Sequence, residues 1–371
     1  MKSGHHRRWH RSLVEILVIA AVYFALARLG QILAIDPGNV TSIWPASGFA
    51  LAVVMWRGYR VWPGLWLGNF LGNTWAILDL STFEAAVRTL VTGLAIGPGD
   101  VLQACLGAYL IRRFCGGELF GETRNVFRFV GTQSIACLSS ATFGVLALCL
   151  GSVVPWSECG YTWLTWYLGD AVGVILVAPV LLMSPMLLPI FRDTSRMVEA
   201  ATILILGIFA SLIAFTDVSD LPLSFLPLPL VLWAAVRGNQ FAVSATVLAL
   251  SAVAIWAFAT RQGPFVSDDL NFSLMLLQFY MAVTLVTGLA VAAALDERRR
   301  AERNVRDRTL ETSRTNERLE HEISERKAVE AALRISEERF QLSVKGSTDG
   351  LWDWDVAVSY THLRAHETYI T

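Results

Sequence analysis

Residues 271–300 read NFSLMLLQFYMAVTLVTGLAVAAALDERRR, and the fold turns on what changes at Leu295. Twenty-five uncharged residues end there, enough to cross a hydrocarbon core that needs about 20 apolar residues. The five residues that follow are all charged. The same change of solvent divides the whole chain. Up to Leu295 there are 16 Lys or Arg and 15 Asp or Glu, whereas the remaining 76 residues alone hold 14 and 16. Overall 54% of residues are hydrophobic and 16% charged, against roughly a quarter charged in a soluble domain. The first part therefore belongs in lipid and the second in water. A formal net charge of −1 leaves no basic excess to neutralise phosphates, which excludes a bulk nucleic-acid binder.

Working back from Leu295, ten apolar runs are candidate spans: 13–35, 46–57, 61–79, 85–111, 127–150, 163–187, 198–215, 221–236, 240–260 and 271–295. Those at 46–57 and 221–236 are short for a crossing, and eight spans remain if both are re-entrant. The expected fold is an all-α integral membrane bundle of eight to ten transmembrane helices, the lipid bilayer being its first partner. With the amino end inside, 13 basic residues face the cytoplasm, while only Arg88 and Arg261 fall outside. That asymmetry predicts an even number of spans with both termini cytoplasmic. The basic residues 1–12 and Ala25-Leu26-Ala27 also have the order of a signal peptide, but the run continues through Arg28 to Ile35, beyond a typical signal core. Trp44, Trp56, Trp62, Trp156, Trp163 and Trp233 lie near span ends, as interfacial anchors do.

Cys105, Cys137 and Cys149 lie in apolar runs, and Cys115 and Cys159 in connections. No C-x-x-C or Cys/His ligand spacing occurs, so the five are expected to be small buried apolar residues, with no disulfide framework and no metal.

Polar groups within the spans carry more information, because a central charge costs about 2.5–3.5 kcal/mol on insertion scales. Arg28 and Asp170 each lie seven residues from the outer end of their spans, about 10 Å deep at 1.5 Å per residue, and could pair. Asp100 follows Gly97-Pro98-Gly99, which is expected to interrupt its helix, and a broken helix is tolerated only against protein or a wet cavity. Asn69, Asn73 and Gln103 could complete a polar interior at similar depth. Two readings are open for Arg28, Asn69, Asn73, Asp100, Gln103 and Asp170: an outward-facing site for a small polar or ionic ligand, or interhelical hydrogen bonding with snorkelling of Arg28.

Ser42-Ile-Trp-Pro-Ala-Ser-Gly-Phe-Ala50, Gly58-Tyr-Arg-Val-Trp-Pro-Gly64 and Leu67-Gly-Asn-Phe-Leu-Gly-Asn73 resemble the first class of bacterial membrane-associated sensor (MASE) domains. Gly107-Ala-Tyr-Leu-Ile-Arg-Arg113, Trp166-Tyr-Leu-Gly-Asp-Ala-Val-Gly173, Pro229-Leu-Val-Leu-Trp-Ala-Ala235 and Gly263-Pro-Phe265 extend the likeness over most of 13–295. The resemblance implies a sensory module in the bacterial inner membrane, placed before histidine kinase or cyclic-di-GMP domains, with its ligand undefined. Where that family commonly reads Gly-Asn-x-Leu-Glu, this chain reads Gly99-Asp-Val-Leu-Gln103, so no ligand role is carried over to Asp100 or Gln103.

Residues 296–334 lack Pro and Gly and are dense in Glu and Arg, which predicts a cytoplasmic helix with ion pairs at helical spacing. A seven-residue register runs Val305, Thr312, Leu319, Arg326, Leu333, Phe340, and an alternate one Thr309, Asn316, Ile323, Glu330. So apolar-poor a seam predicts a weak or regulated parallel homodimer, or else a solvated single helix. Residues 335–357, with Ser336-Glu-Glu-Arg-Phe340 and Asp349-Gly-Leu-Trp-Asp-Trp-Asp355, resemble the opening of an α+β PAS domain, too short to assign a cofactor. Residues 358–371 do not continue that pattern and resemble a translated adapter tail, so the natural protein is expected to be longer. His362-x-x-x-His366 is not read as a metal site, nor His321-Glu322 as a phosphoacceptor, which would continue Arg-Thr-Pro. No nucleotide loop, Gly-Gly-Asp-Glu-Phe signature or Ser/His/Asp order occurs, so no enzyme is expected in this chain. The expected function is an inner-membrane signal sensor. A small-solute permease is the alternative, because permeases also place charges at mid-membrane.

Overall fold

The computed structural model describes residues 2–32, 34–35, 40–116, 118–186, 193–216, 223–237, 239–346, 351–355 and 360–364. Among these described residues ten α-helices follow one another: α1 (Lys2–Ile32), α2 (Pro45–Arg57), α3 (Trp62–Ile77), α4 (Phe83–Phe114), α5 (Thr123–Leu150), α6 (Cys159–Leu182), α7 (Thr194–Phe215), α8 (Leu228–Arg237), α9 (Gln240–Ala259) and α10 (Leu270–Gly346). Each expected apolar run is met by one of them. Among the described residues seven helices are long and apolar enough to cross a membrane. The others, α2, α3 and α8, have only 13, 16 and 10 residues. The two runs that look short in sequence are thus α2 and α8.

Local chemistry sets the helix ends. Pro45 and Pro63 occupy the first turns of α2 and α3, where no intrahelical N–H is needed. Thr82, Asp193 and Asn239 cap α4, α7 and α9 through side-chain oxygens that accept backbone N–H groups. Gly58 closes α2 at φ +81°, a backbone region open to glycine.

The chain forms two compact units, Met1–Arg299 and Arg300–Thr371. In the first, small residues let helices approach closely, which matters where lipid removes any hydrophobic drive between them. On α3, Gly64, Gly68 and Gly72 form a stripe along α1. A Cβ on Gly64 would stand 2.8 Å from the Ile16 carbonyl, and one on Gly68 2.7 Å from the Ala20 carbonyl. The Trp44–Gly48 segment seats on Gly169–Gly173 of α6 in the same way. Trp44 N donates to the Gly169 carbonyl at 3.1 Å, a Cβ on Gly48 would meet the Gly173 carbonyl at 2.6 Å, and one on Gly173 would run into the Trp44 carbonyl. On α10, Leu274, Leu277, Met281, Leu285 and Leu289 recur at three- and four-residue spacing as a buried stripe.

One end of the bundle is closed by arginines. Arg57 and Arg60 share Glu15 at 3.2 and 3.4 Å, and Arg237 meets Glu199 at 2.7 Å. Arg112 donates to the last carbonyls of α2, Val54 and Met55, at 3.2 and 3.4 Å, and Arg299 donates to the Val236 carbonyl of α8. At this end Arg112 and Arg299 thus finish helix C-termini, while Arg57, Arg60 and Arg237 are held in ion pairs.

Two sequence expectations are corrected. Gly97-Pro98-Gly99 does not interrupt α4, which runs unbroken with Pro98 inside. The flanking glycines are packing positions: a Cβ on Gly97 would strike the Trp66 indole, and one on Gly99 would come within 2.6 Å of Phe143 Cβ. The neighbouring helix packs against this turn, with Ser139 Oγ of α5 lying 3.4 Å from the Gly99 carbonyl. Cys149 and Cys159, expected as unpaired small residues, form a disulfide across the α5–α6 connection. The helix ends bring them together, with Cα atoms 6.6 Å apart, and spacing alone did not reveal that.

In the second unit α10 continues without a break at 334/335 to Gly346, and Val305, Leu319, Ile323, Leu333 and Phe340 of the expected registers are all exposed. Strand β3 (Leu351–Asp355) pairs antiparallel with β4 (Tyr360–Arg364), Leu351 opposite Arg364, as the two-residue strands β1 (Ala34–Ile35) and β2 (Val40–Thr41) pair within the first unit. The expected PAS start also includes 347–350 and 356–357, and the suspected tail 358–359 and 365–371, which lie outside the described residues, as does His366.

Gly173→Ala is expected to lower the thermal midpoint of the detergent-solubilised protein by the equivalent of about 1–3 kcal/mol, the range for overpacking. Gly131, with nothing within 4 Å of a Cβ, is the control, and its alanine variant should match or exceed the parent. Equal midpoints for the two variants would rule out the α2–α6 close approach.

Candidate functional site

Six successive helices each give polar side chains to one connected hydrogen-bond network. Tyr23 comes from α1, Ser47 from α2, Asn69 from α3, Asp100 from α4, Ser140 from α5, and Trp166 and Asp170 from α6. Tyr23 OH donates to Asp100 Oδ2 at 3.1 Å, and Asn69 Nδ2 donates both to Tyr23 OH at 3.0 Å and to Asp100 Oδ2. Ser47 Oγ donates to Asp170 Oδ1 at 2.6 Å. Ser140 Oγ stands between the two acids, against Asp100 Oδ1 and 2.6 Å from Asp170 Oδ2, while Trp166 Nε1 donates to it at 3.1 Å.

Asp170 is 1% exposed and Asp100 7%, and among the described residues no basic side chain forms an ion pair with either. Neutral donors alone solvate them, so the charge of the pair is held by hydroxyl, phenol and amide dipoles. Hydrogen counting adds a constraint. A serine hydroxyl has one hydrogen, and the Trp166 N–H already donates to Ser140 Oγ. Ser140 can donate to one carboxyl only, so its contact with the other calls for a carboxyl hydrogen pointing the opposite way. The arrangement is that of two acids joined through a hydroxyl that can pass a proton between them.

Asp170 also lies on a cavity of about 1150 Å³ at the arginine-poor end of the bundle. The cavity is walled by α1, α3 and α6, by Thr41 and Trp44, and by the α5–α6 connection that the Cys149–Cys159 disulfide ties together. Glu158, Arg261 and Asp268 line it from the connections. Arg28 is on its wall, with Nη1 donating to Gln31 Oε1 at 2.5 Å and the guanidinium 5.1 Å from the Trp75 ring centroid. Gln31 Nε2 in turn donates to the Gly72 carbonyl at 2.8 Å, which ties the arginine's support to α3. A smaller groove, about 580 Å³, lies between α1 and α2 beside Glu15 and Arg57 and contains no member of the network.

The sequence candidates separate into three groups. Asn69, Asp100 and Asp170 are brought together. Asn73 lines the cavity and donates to the Asn69 carbonyl at 3.4 Å. Gln103 is buried but outside the network, and its Oε1 has no partner among the described residues. The expected Arg28–Asp170 pair does not form, because Arg28 is held by Gln31 and Trp75 and Asp170 by Ser47 and Ser140. Tyr23, Ser47, Ser140 and Trp166 were missed. A tyrosine in the middle of an apolar run, away from either interface, was the available signal for Tyr23. Ser140, in Leu-Ser-Ser-Ala, looks like any small packing residue.

Combining Ser140→Ala with Asp170→Asn is expected to lower the melting midpoint by less than the two single effects together, with a coupling of about 0.5–3 kcal/mol. Strict additivity would mean that the hydroxyl does not bridge the acids.

Comparison with known proteins agrees with the architecture. Hybrid signal transduction histidine kinase A of Dictyostelium discoideum is 42% identical over 67 residues, which make up 16% of this chain and 3% of that protein. The chain thus corresponds to a small part of that relative. No solved structure matches it. The pattern of MASE1, a membrane-associated sensor domain, matches residues 16–299, the helices that carry both the acid network and the cavity. The chain belongs to the MASE1 family.

Proposed function

We propose that the acid network and the cavity above it are the stimulus site of a receptor in a bacterial inner membrane, with both termini cytoplasmic. The stimulus reaches the cavity from outside, and its differential affinity for two arrangements of the bundle drives the output. The observation that carries this reading is Asp170, which belongs at once to the open cavity and to a hydrogen-bond network through six helices. A route onward exists in the same unit. Gln278 of α10 donates to the Ser42 carbonyl at 3.1 Å, two residues before Trp44 on the cavity wall. A shift of the Ser42–Trp44 segment would therefore be felt at the buried start of α10.

In this proposal α10 carries the change as a signalling helix, paired with that of a second copy through its exposed apolar positions, into a PAS domain beginning near Ile335. The output domain, a histidine kinase or a cyclic-di-GMP enzyme, lies beyond this sequence. The partial likeness to a hybrid histidine kinase supports a signalling output without choosing between them. A buried acid pair below an open cavity also suits a proton-coupled permease, which is the second reading.

The chain is to be fused to a reporter kinase and its output read across a panel of external solutes and pH. Output should respond, and Gln278→Leu should abolish the response while leaving the protein folded. A flat output for the parent and for every substitution at Asp100, Asp170 and Gln278 would sink the receptor reading. Solute uptake into vesicles that depends on Asp170 would establish the permease instead.

A further inference from the structure

Arg28 and Asp170 face the same cavity and leave each other's charge unneutralised. Each is held by local partners instead: Gln31 and Trp75 hold the guanidinium, and Ser47 and Ser140 hold the carboxyl. Arg28 gives one N–H to Gln31, and the rest of its planar fork of five remains for a ligand. With the proton of the pair on Asp100, Asp170 receives hydroxyl hydrogens from Ser47 and Ser140, so its partners carry no positive charge. Trp44, Trp166 and Tyr161 add aromatic surface to the wall.

A cavity whose wall carries Arg28 and Arg261, Glu158, Asp170 and Asp268, and aromatic surface, complements a ligand that bears both signs of charge. We propose that it binds a small zwitterion of the amino-acid type, with the carboxylate on Arg28, the ammonium on Asp170 and an apolar body against the indoles. A plain anion would satisfy Arg28 but meet the negative acid pair. A plain cation would satisfy Asp170 and lie against an immobilised guanidinium. A ligand carrying both groups meets Arg28 and Asp170 at once, and the aromatic rings favour its ammonium end as well. This ligand class rests on the reading of the cavity as the stimulus site.

The test uses the whole chain in lipid nanodiscs and titration calorimetry, with three probes that share one aromatic body. L-Phenylalanine carries both charges, 3-phenylpropionate only the negative one, and phenethylamine only the positive one. The other common amino acids are titrated in parallel to allow for a different side chain. At least one amino acid should bind about tenfold or more tightly than both of its one-charge relatives, a gap of about 1.4 kcal/mol. Arg28→Gln should bring the amine level with the amino acid, and Asp170→Asn should do the same for the carboxylate. Arg28→Lys, which keeps the charge, should retain part of the preference. If either variant fails to fold, the comparison of the three compounds on the parent protein decides alone. Binding of a one-charge compound as tight as that of its amino acid would overturn the zwitterion class and leave the stimulus site standing. Binding of none of the amino acids would also overturn it, and the reporter response through Gln278 would still judge the receptor reading separately.

Discussion

Two carboxyl groups inside a membrane bundle, with no cation paired to either, have to be solvated by the protein itself, and the first six helices are arranged around that need. Ser140 is the meeting point. It touches both acids and accepts from an indole, and because it has one hydrogen to give, the state of one acid is tied to that of the other. The other members come from α1, α2, α3, α4 and α6, so displacing any of α1 to α6 leaves a buried polar group short of a partner. Such a loss typically costs about 1–3 kcal/mol.

Those hydrogen bonds require backbones closer than ordinary side chains allow. The glycines of α3 bring α1 near enough for Tyr23 to reach Asp100, and the Gly48–Gly173 contact sets Ser47 on Asp170. Packing and polarity thus constrain each other. Small residues make the network possible, and the network makes one register of the small-residue interfaces better than its neighbours. Polar hydrogen bonding between helices and an outward-facing site were opposed readings of the same residues, and Asp170 takes part both in the interhelical hydrogen bonds and in the cavity wall.

Much of the architecture was legible in sequence because lipid imposes simple lengths. Every apolar run became a helix, and the two shortest runs became short helices. The acids at 100 and 170 stood out because charge is costly in hydrocarbon. What could not be read was which partner each would take. The apolar runs put Arg28 and Asp170 at equal depth, which suggested a pair, but Arg28 lies four residues from the end of α1 and Asp170 eleven from the start of α6, and Asp170 meets two serines while Arg28 meets a glutamine and a tryptophan. Serines carry almost no signal in a membrane helix, since one that packs and one that bridges acids look alike. Gly97-Pro98-Gly99 misled for a related reason: the pattern that breaks a helix in water also lets an indole and a neighbouring helix come close.

The Cys149–Cys159 link bears on how the domain is made. If the arginine-poor end faces outward, as proposed above, the link would close in the compartment where thiols are oxidised, and only after the α5–α6 connection has been carried across the bilayer. A newly inserted copy therefore has its helices before it has a finished cavity wall. Maturation acquires a second step, dependent on the oxidising machinery of the envelope, and material synthesised under reducing conditions would contain the bundle without that final stitch.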